Sequence, residues 1–114
     1  KSVGKNKKEQ EELFSLAKEL EKTGSSFIVL ECIKANSAKK ITSALTIPTI
    51  GIGASIDCDG QVLVINDLLC TDASLKKPRF VKSYVKLNTI IENAVKKYCG
   101  DVINKKFPLK KHTY

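Results

Sequence analysis

Apolar positions along this chain recur with two different periods, and the switches between them divide it into elements. Between Lys7 and Lys22, Leu13, Leu16, Ala17 and Leu20 fall at i, i+3, i+4 and i+7. That spacing lays one stripe along a helix, and Gly24 closes it, because glycine readily takes the left-handed conformation that ends a helix. FIVLE, residues 27 to 31, is a short apolar run of strand type. A second helix follows, with Asn36 or Ser37 as its cap and Ala38, Ile41, Thr42 and Leu45 as its stripe. Pro48 prevents its continuation, since proline lacks an N–H and clashes with the preceding turn. TIGIGA, residues 49 to 54, is the second strand.

VLVI, residues 62 to 65, has the propensity of a strand. Only a short connection separates it from TIGIGA, whereas a parallel crossover takes about a dozen residues or more. The spacing therefore predicts an antiparallel partner or a helix. A helix is favoured: Asp57 can cap it, Asp59 suits its positive amino end, and Val62, Ile65, Leu68 and Leu69 share one face. FVKSYV, residues 80 to 85, is then the last strand, and the closing helix carries Leu87, Ile90, Ile91, Ala94, Val95 and Tyr98 on a buried stripe. The order α-β-α-β-α-β-α is that of a parallel β/α protein, with no internal sequence repeat beyond the alternation.

With 42% hydrophobic residues in 114, the chain has enough apolar material for a core. A formal net charge of +8 invites a nucleic-acid reading, because clustered lysines displace counterions from phosphates. The lysines are instead dispersed in short groups, among them Lys39 and Lys40, Lys76 and Lys77, Lys96 and Lys97, and Lys110 and Lys111. No nucleic-acid motif accompanies them, so they read as solvated surface. Cys32, Cys58, Cys70 and Cys99 lack CxxC spacing or a paired histidine motif, which indicates neither a zinc site nor a redox pair. No apolar run is long enough to span a bilayer and no secretory pattern appears. The expectation is a soluble cytoplasmic protein with reduced thiols and no nucleic-acid or membrane partner. The chain starts at Lys1 and contains no methionine, so its first residue is not expected to be a translation start.

Candidate chemistry concentrates where the first strand ends. The apolar run stops at Glu31, and the carboxyl end of a parallel strand is where catalytic groups sit, so Glu31 is a candidate general base. The same position also suits a solvated turn acid or a partner of the next helix's amino end. Cys32 beside it reads as a small buried filler. The GIGAS segment, residues 51 to 55, is glycine-rich after a strand and before an expected helix, a geometry that receives anions; its small residues equally suit a tight interior. Asp57 and Asp59 form a DxD spacing, but a hard divalent cation needs several oxygen ligands, and cap or turn roles account for both acids. His112 in the basic tail reads as solvated.

VLEC (29 to 32), IPTIGIGA (47 to 54), CDGQVLV (58 to 64) and PRFVKSY (78 to 84) together resemble the ketopantoate hydroxymethyltransferase family, and the resemblance covers nearly the whole chain. It implies a (β/α)8 TIM-type barrel, which takes about 250 residues. Residues 1–114 would then be the C-terminal part of a single barrel domain, about three βα units, completed by a missing N-terminal segment. The resemblance further implies transfer of a hydroxymethyl group from the co-substrate 5,10-methylenetetrahydrofolate to 3-methyl-2-oxobutanoate, giving 2-dehydropantoate in pantothenate biosynthesis. Glu31 would be the base that removes the C3 proton, and Ile52 and Val64 would line the substrate pocket. Magnesium is implied as cofactor, with its carboxylates in the N-terminal segment and no metal ligand here. A ring-type homo-oligomer is implied too. The alternative is a non-catalytic fragment serving as an assembly or binding module. The chain departs from the family at Ser55 and Cys70, where glycine is usual, and at Asn66, where histidine is usual.

Overall fold

The computed structural model describes residues 2–72 and 77–114; Lys1 and Lys76 lie outside the described residues. The chain divides into two compact units, Lys1–Leu63 and Val64–Tyr114.

In the first unit, helix α1 (Lys7–Lys22) starts where Asn6 accepts a hydrogen bond from the Glu9 N–H at 2.9 Å. The Glu9 carboxylate reaches back to accept from the Gly4 and Lys5 N–H groups at 3.0 and 2.9 Å. This reciprocal cap satisfies backbone donors that have no partner inside the helix. Strand β1 (Ile28–Glu31), helix α2 (Ala35–Ala44), strand β2 (Thr49–Ile52) and strand β3 (Gly60–Gln61) follow. All three strands are parallel, in the order β1-β2-β3. Ile28 and Leu30 bury into a core with Ala17, Ile33, Ala38, Ile41 and Cys58, and Leu13, Leu45 and Ile47 pack around it. Side chains alternate across a strand, so Val29, 50% exposed, and the exposed Glu31 share the face opposite that core. The helix stripes are therefore partly realised: Ala17, Ala38 and Ile41 are buried, while Leu16 and Leu20 stay exposed. Neither Asn36 nor Ser37 caps α2, which starts at Ala35 after Lys34.

The largest correction concerns residues 60 to 65. The expected helix does not begin there; Gly60 and Gln61 add a parallel strand in the register Ile50↔Gly60 and Gly51↔Gln61. A long crossover is needed to return along the full length of a strand, but this pairing is only two residues long, and a short loop suffices. Asp59 fastens that loop rather than capping a helix, its Oδ2 accepting from the Thr49 N–H at 2.8 Å and the Thr49 hydroxyl at 3.1 Å. Gly60 suits the close approach, since a Cβ there would lie 2.8 Å from Ile50 Cδ1 and the end of that side chain would have to move.

In the second unit, helix α3 is a short segment, Ile65–Leu69, that follows Val64, and Val62 is not part of it. Residues 80 to 85 form no strand. Their polar groups hang on α3 instead, the Tyr84 N–H donating to Leu68 O at 2.8 Å and the Ser83 hydroxyl to Asp67 O at 2.8 Å. Among the described residues, the second unit holds no strand for their β propensity to pair with. Helix α4 (Leu87–Ile103) is present as expected, but it buries none of its residues. An apolar stripe states which face needs cover, not what covers it. The element order is thus α-β-α-β-β-α-α, with a closing 3-10 turn at Lys110–His112. Among the described residues, no helix is long and apolar enough to cross a membrane.

Candidate functional site

Glu31 is the last residue of β1 and pairs in parallel register with Ile52, the last of β2. Paired residues on adjacent strands project to the same side about 4.8 Å apart, so Glu31, Ile52, Val29 and Ile50 form a small patch opposite the helix-covered face. The structure thereby brings together Glu31 and Ile52. Among the described residues, the Glu31 carboxylate makes no hydrogen bond or ion pair. An exposed carboxylate beside apolar side chains has both oxygens free to accept a proton.

The backbone that aims Glu31 is fixed from both sides. Cys32 adopts a left-handed conformation with φ 53°. Its N–H donates to Ile52 O at 2.9 Å, and its carbonyl accepts from the Val3 N–H at 2.9 Å. The Lys34 N–H donates to Val3 O at 3.0 Å, completing a parallel bridge between Val3 and Ile33. The sequence reading missed Val3. Its signal was an isolated apolar residue just ahead of the Asn6 and Glu9 capping pair, which places it next to a structured helix start.

The position of β2 is set by a second clamp. Glu21 in the last turn of α1 accepts hydrogen bonds from the Thr46 N–H, the Thr46 hydroxyl at 2.8 Å and the Ile47 N–H at 3.3 Å, and pairs with Lys18 at 3.1 Å. The Thr46 N–H, then its hydroxyl, then Lys18 hold the Glu21 carboxyl down at about 2. Lys18 also donates to Ala44 O. Asp59 is lowered too, chiefly by the Thr49 N–H and then the Thr49 hydroxyl.

The loop after β2 gives the DxD acids structural work. Ser55 donates to Asp57 Oδ2 at 2.9 Å and accepts from the Asp57 N–H at 3.2 Å, and Asp57 pairs with Lys39 at 3.4 Å. Gly53 has φ 62°. No helix follows GIGAS, so the expected helix amino end is not there to receive an anion. Among the described residues, no group of three or more His, Cys, Asp or Glu side chains is placed to hold a metal ion. Asp57 is engaged by Ser55 and Lys39 and Asp59 by Thr49, so these residues do not fit a magnesium site.

Val64, in the second unit, is 52% exposed and immediately precedes α3. Asn66 is exposed within α3, its carbonyl accepting from the N–H of Thr71. Cys70 caps α3 in the left-handed region at φ 52°, which accounts physically for the glycine usual at that position in the resembled family. His112 is exposed, but its Nδ1 accepts from the Leu109 N–H at 3.2 Å and its ring lies 5.2 Å from that of Phe107.

A profile of the family described as ketopantoate hydroxymethyltransferase matches residues 1–110. A 3-methyl-2-oxobutanoate hydroxymethyltransferase from Pelodictyon phaeoclathratiforme is 50% identical over 106 residues, covering 93% of this chain and 38% of the relative. The enzyme of that name from Saccharolobus islandicus is 50% identical over 112 residues, covering 98% of this chain and 41% of the relative. That from Bdellovibrio bacteriovorus is 43% identical over the whole chain and 43% of its own length. The chain thus spans about two fifths of the length of the curated relatives it matches.

Proposed function

Because the chain belongs to the ketopantoate hydroxymethyltransferase family, we propose that it supplies the base-bearing part of a hydroxymethyltransferase acting on 3-methyl-2-oxobutanoate in pantothenate biosynthesis. The observation that carries this reading is the placement of Glu31. It is a carboxylate without a partner among the described residues, at the carboxyl end of a parallel strand and beside the apolar side chain of Ile52. In this reading Glu31 accepts the proton from C3 of the 2-oxo acid, and the resulting enolate attacks the one-carbon unit of 5,10-methylenetetrahydrofolate. A hydrogen next to a ketone is a weak acid, so a positioned carboxylate contributes where the barrier lies. Ile52, beside Glu31, is an apolar pocket position, and Val64 is assigned one from the family resemblance alone. No step is assigned to magnesium through these residues, because they do not fit it.

The reading includes an N-terminal segment that completes a (β/α)8 barrel over the open face of β1 and β2, and assembly into a homo-oligomer. The test is to combine the chain with the N-terminal part of a relative and to follow C3 hydrogen exchange of 3-methyl-2-oxobutanoate in heavy water. Glu31→Gln should abolish the exchange while leaving the 2-oxo acid bound. Unchanged exchange in the variant would remove the assignment.

A second reading, a non-catalytic assembly module, is favoured by the exposure of Val29 and Phe27 and by the uncovered stripe of α4. Turnover on complementation would eliminate it.

A further inference from the structure

In the second unit, α3 ends on a cysteine rather than on the glycine its left-handed backbone favours, and the Cys70 thiol is tied into a polar cluster. Cys70 is buried, 7% exposed as a residue. Lys77 Nζ donates to Cys70 Sγ at 3.0 Å, and the thiol faces Asn88 Oδ1 at 3.5 Å. Lys77 is steered there from its other side, donating to the Ser83 hydroxyl at 2.6 Å, which in turn donates to Asp67 O at 2.8 Å. A nucleophilic amine and a thiol are therefore held in contact by groups from α3, α4 and the segment between them.

We propose that Cys70 and Lys77 form an oxidant-sensitive pair, which hydrogen peroxide converts to a covalent sulfur–nitrogen cross-link. In the first step, the sulfur attacks one peroxide oxygen, the O–O bond breaks, and the thiol becomes a sulfenic acid with release of one water. The sulfur gives its electron pair to the new S–O bond, and the departing hydroxide takes the thiol proton to leave as that water. In the second step, the lysine, having released its ammonium proton to water, attacks the sulfur through its lone pair. The S–O bond breaks, and hydroxide leaves with a proton from nitrogen as a second water, giving Cys–S–NH–Lys. Condensation of a sulfenic acid with a nearby nitrogen is established chemistry for backbone amides, and here a side-chain amine lies at contact distance. Peroxide is the only oxidant consumed, and a thiol reductant reverses the bond. The product ties the end of α3 to the segment whose Ser83 and Tyr84 already hang on that helix.

The purified chain, in whatever assembly it comes, is treated with hydrogen peroxide and peptide-mapped by mass spectrometry. The expected product joins Cys70 to Lys77 with loss of two hydrogens, shields Lys77 from amine acetylation, and reverts with dithiothreitol. Cys58 in the apolar core and the exposed Cys99 serve as internal comparisons. Recovery of Cys70 as its sulfinic acid with Lys77 still open to acetylation overturns the proposal. Lys77→Arg keeps the charge but should lose the cross-link, and Cys70→Gly, matched to the left-handed backbone, should leave Lys77 open to acetylation after peroxide. If either variant fails to fold, the wild-type map alone decides.

Discussion

A carboxylate gains its chemistry from what the fold puts beside it, and Glu31 has an apolar neighbour and, among the described residues, no polar partner. Glu31→Asp would withdraw the carboxylate by one methylene. Misplacement of a reacting group by about 1 Å costs about 10²-fold, so turnover of the completed enzyme should fall by about that factor. Because Glu31 holds nothing else in place, the denaturant midpoint should stay unchanged; a drop in stability would show a structural role instead. Lys105 presents the opposite case, a residue whose side chain is idle and whose backbone is strained. It lies just past α4 at φ 54°, with its N–H bonded to Val102 O and that of Lys106 to Asp101 O. A left-handed residue with a Cβ costs about 1–2 kcal/mol, and glycine relieves much of this. Lys105→Gly should therefore stabilise α4 by up to about 1 kcal/mol in denaturant unfolding.

Two clamps hold the elements of the first unit in register, and both depend on ionised carboxylates. Glu21 is held at about 2 against an ordinary value of 4.5, and Asp59 is lowered from 3.8. A carboxyl depressed in the folded state stabilises the fold fully above its unfolded value and loses that contribution as pH falls through its folded value. Stability should therefore decline as pH drops from about 4.5 towards about 2, and Glu21→Gln should flatten that slope in chemical denaturation at successive pH values. A slope identical to that of the wild type would refute the clamp. Thr49 is fully buried and joins Asp59 to Thr42, whose hydroxyl lies 2.8 Å from its own. Thr49→Val keeps the shape but strands these partners. Asp59 is exposed and Thr42 only partly buried, so the loss is that of ordinary hydrogen bonds, about 0.5–1.5 kcal/mol each, and should appear in the same unfolding experiment.

For the molecule as a whole, the open face of β1 and β2 and the uncovered stripe of α4 matter most. Val29 is half exposed, and strand alternation puts it on the face that the proposed barrel would bury. Val29→Lys separates the two readings of that face. In the chain alone it should leave stability unchanged and reduce aggregation, because a charge replaces exposed apolar surface. With an N-terminal segment added, it should abolish complementation, since a lysine cannot be buried there without a partner. Full complementation by the variant would show that the face is not covered in the way proposed.

By itself, the sequence determined the local elements whose signals are short in range. The span of α1, the end of β1 at Glu31 and the start of β2 after Pro48 were all legible, because helix period, caps and proline act within a few residues. The family was legible from VLEC, IPTIGIGA and CDGQVLV. Tertiary structure alone decided the rest. Whether residues 60 and 61 made a strand depended on the two-residue length of their pairing with β2, and whether FVKSYV became one depended on a neighbouring edge. Likewise Glu31 and Ile52 met only through parallel register, and Cys70 and Lys77 only through the hydrogen bonds that bring residues 77 to 84 back to α3. These are contacts between segments distant along the chain, and no local propensity encodes the partner that a long-range contact requires.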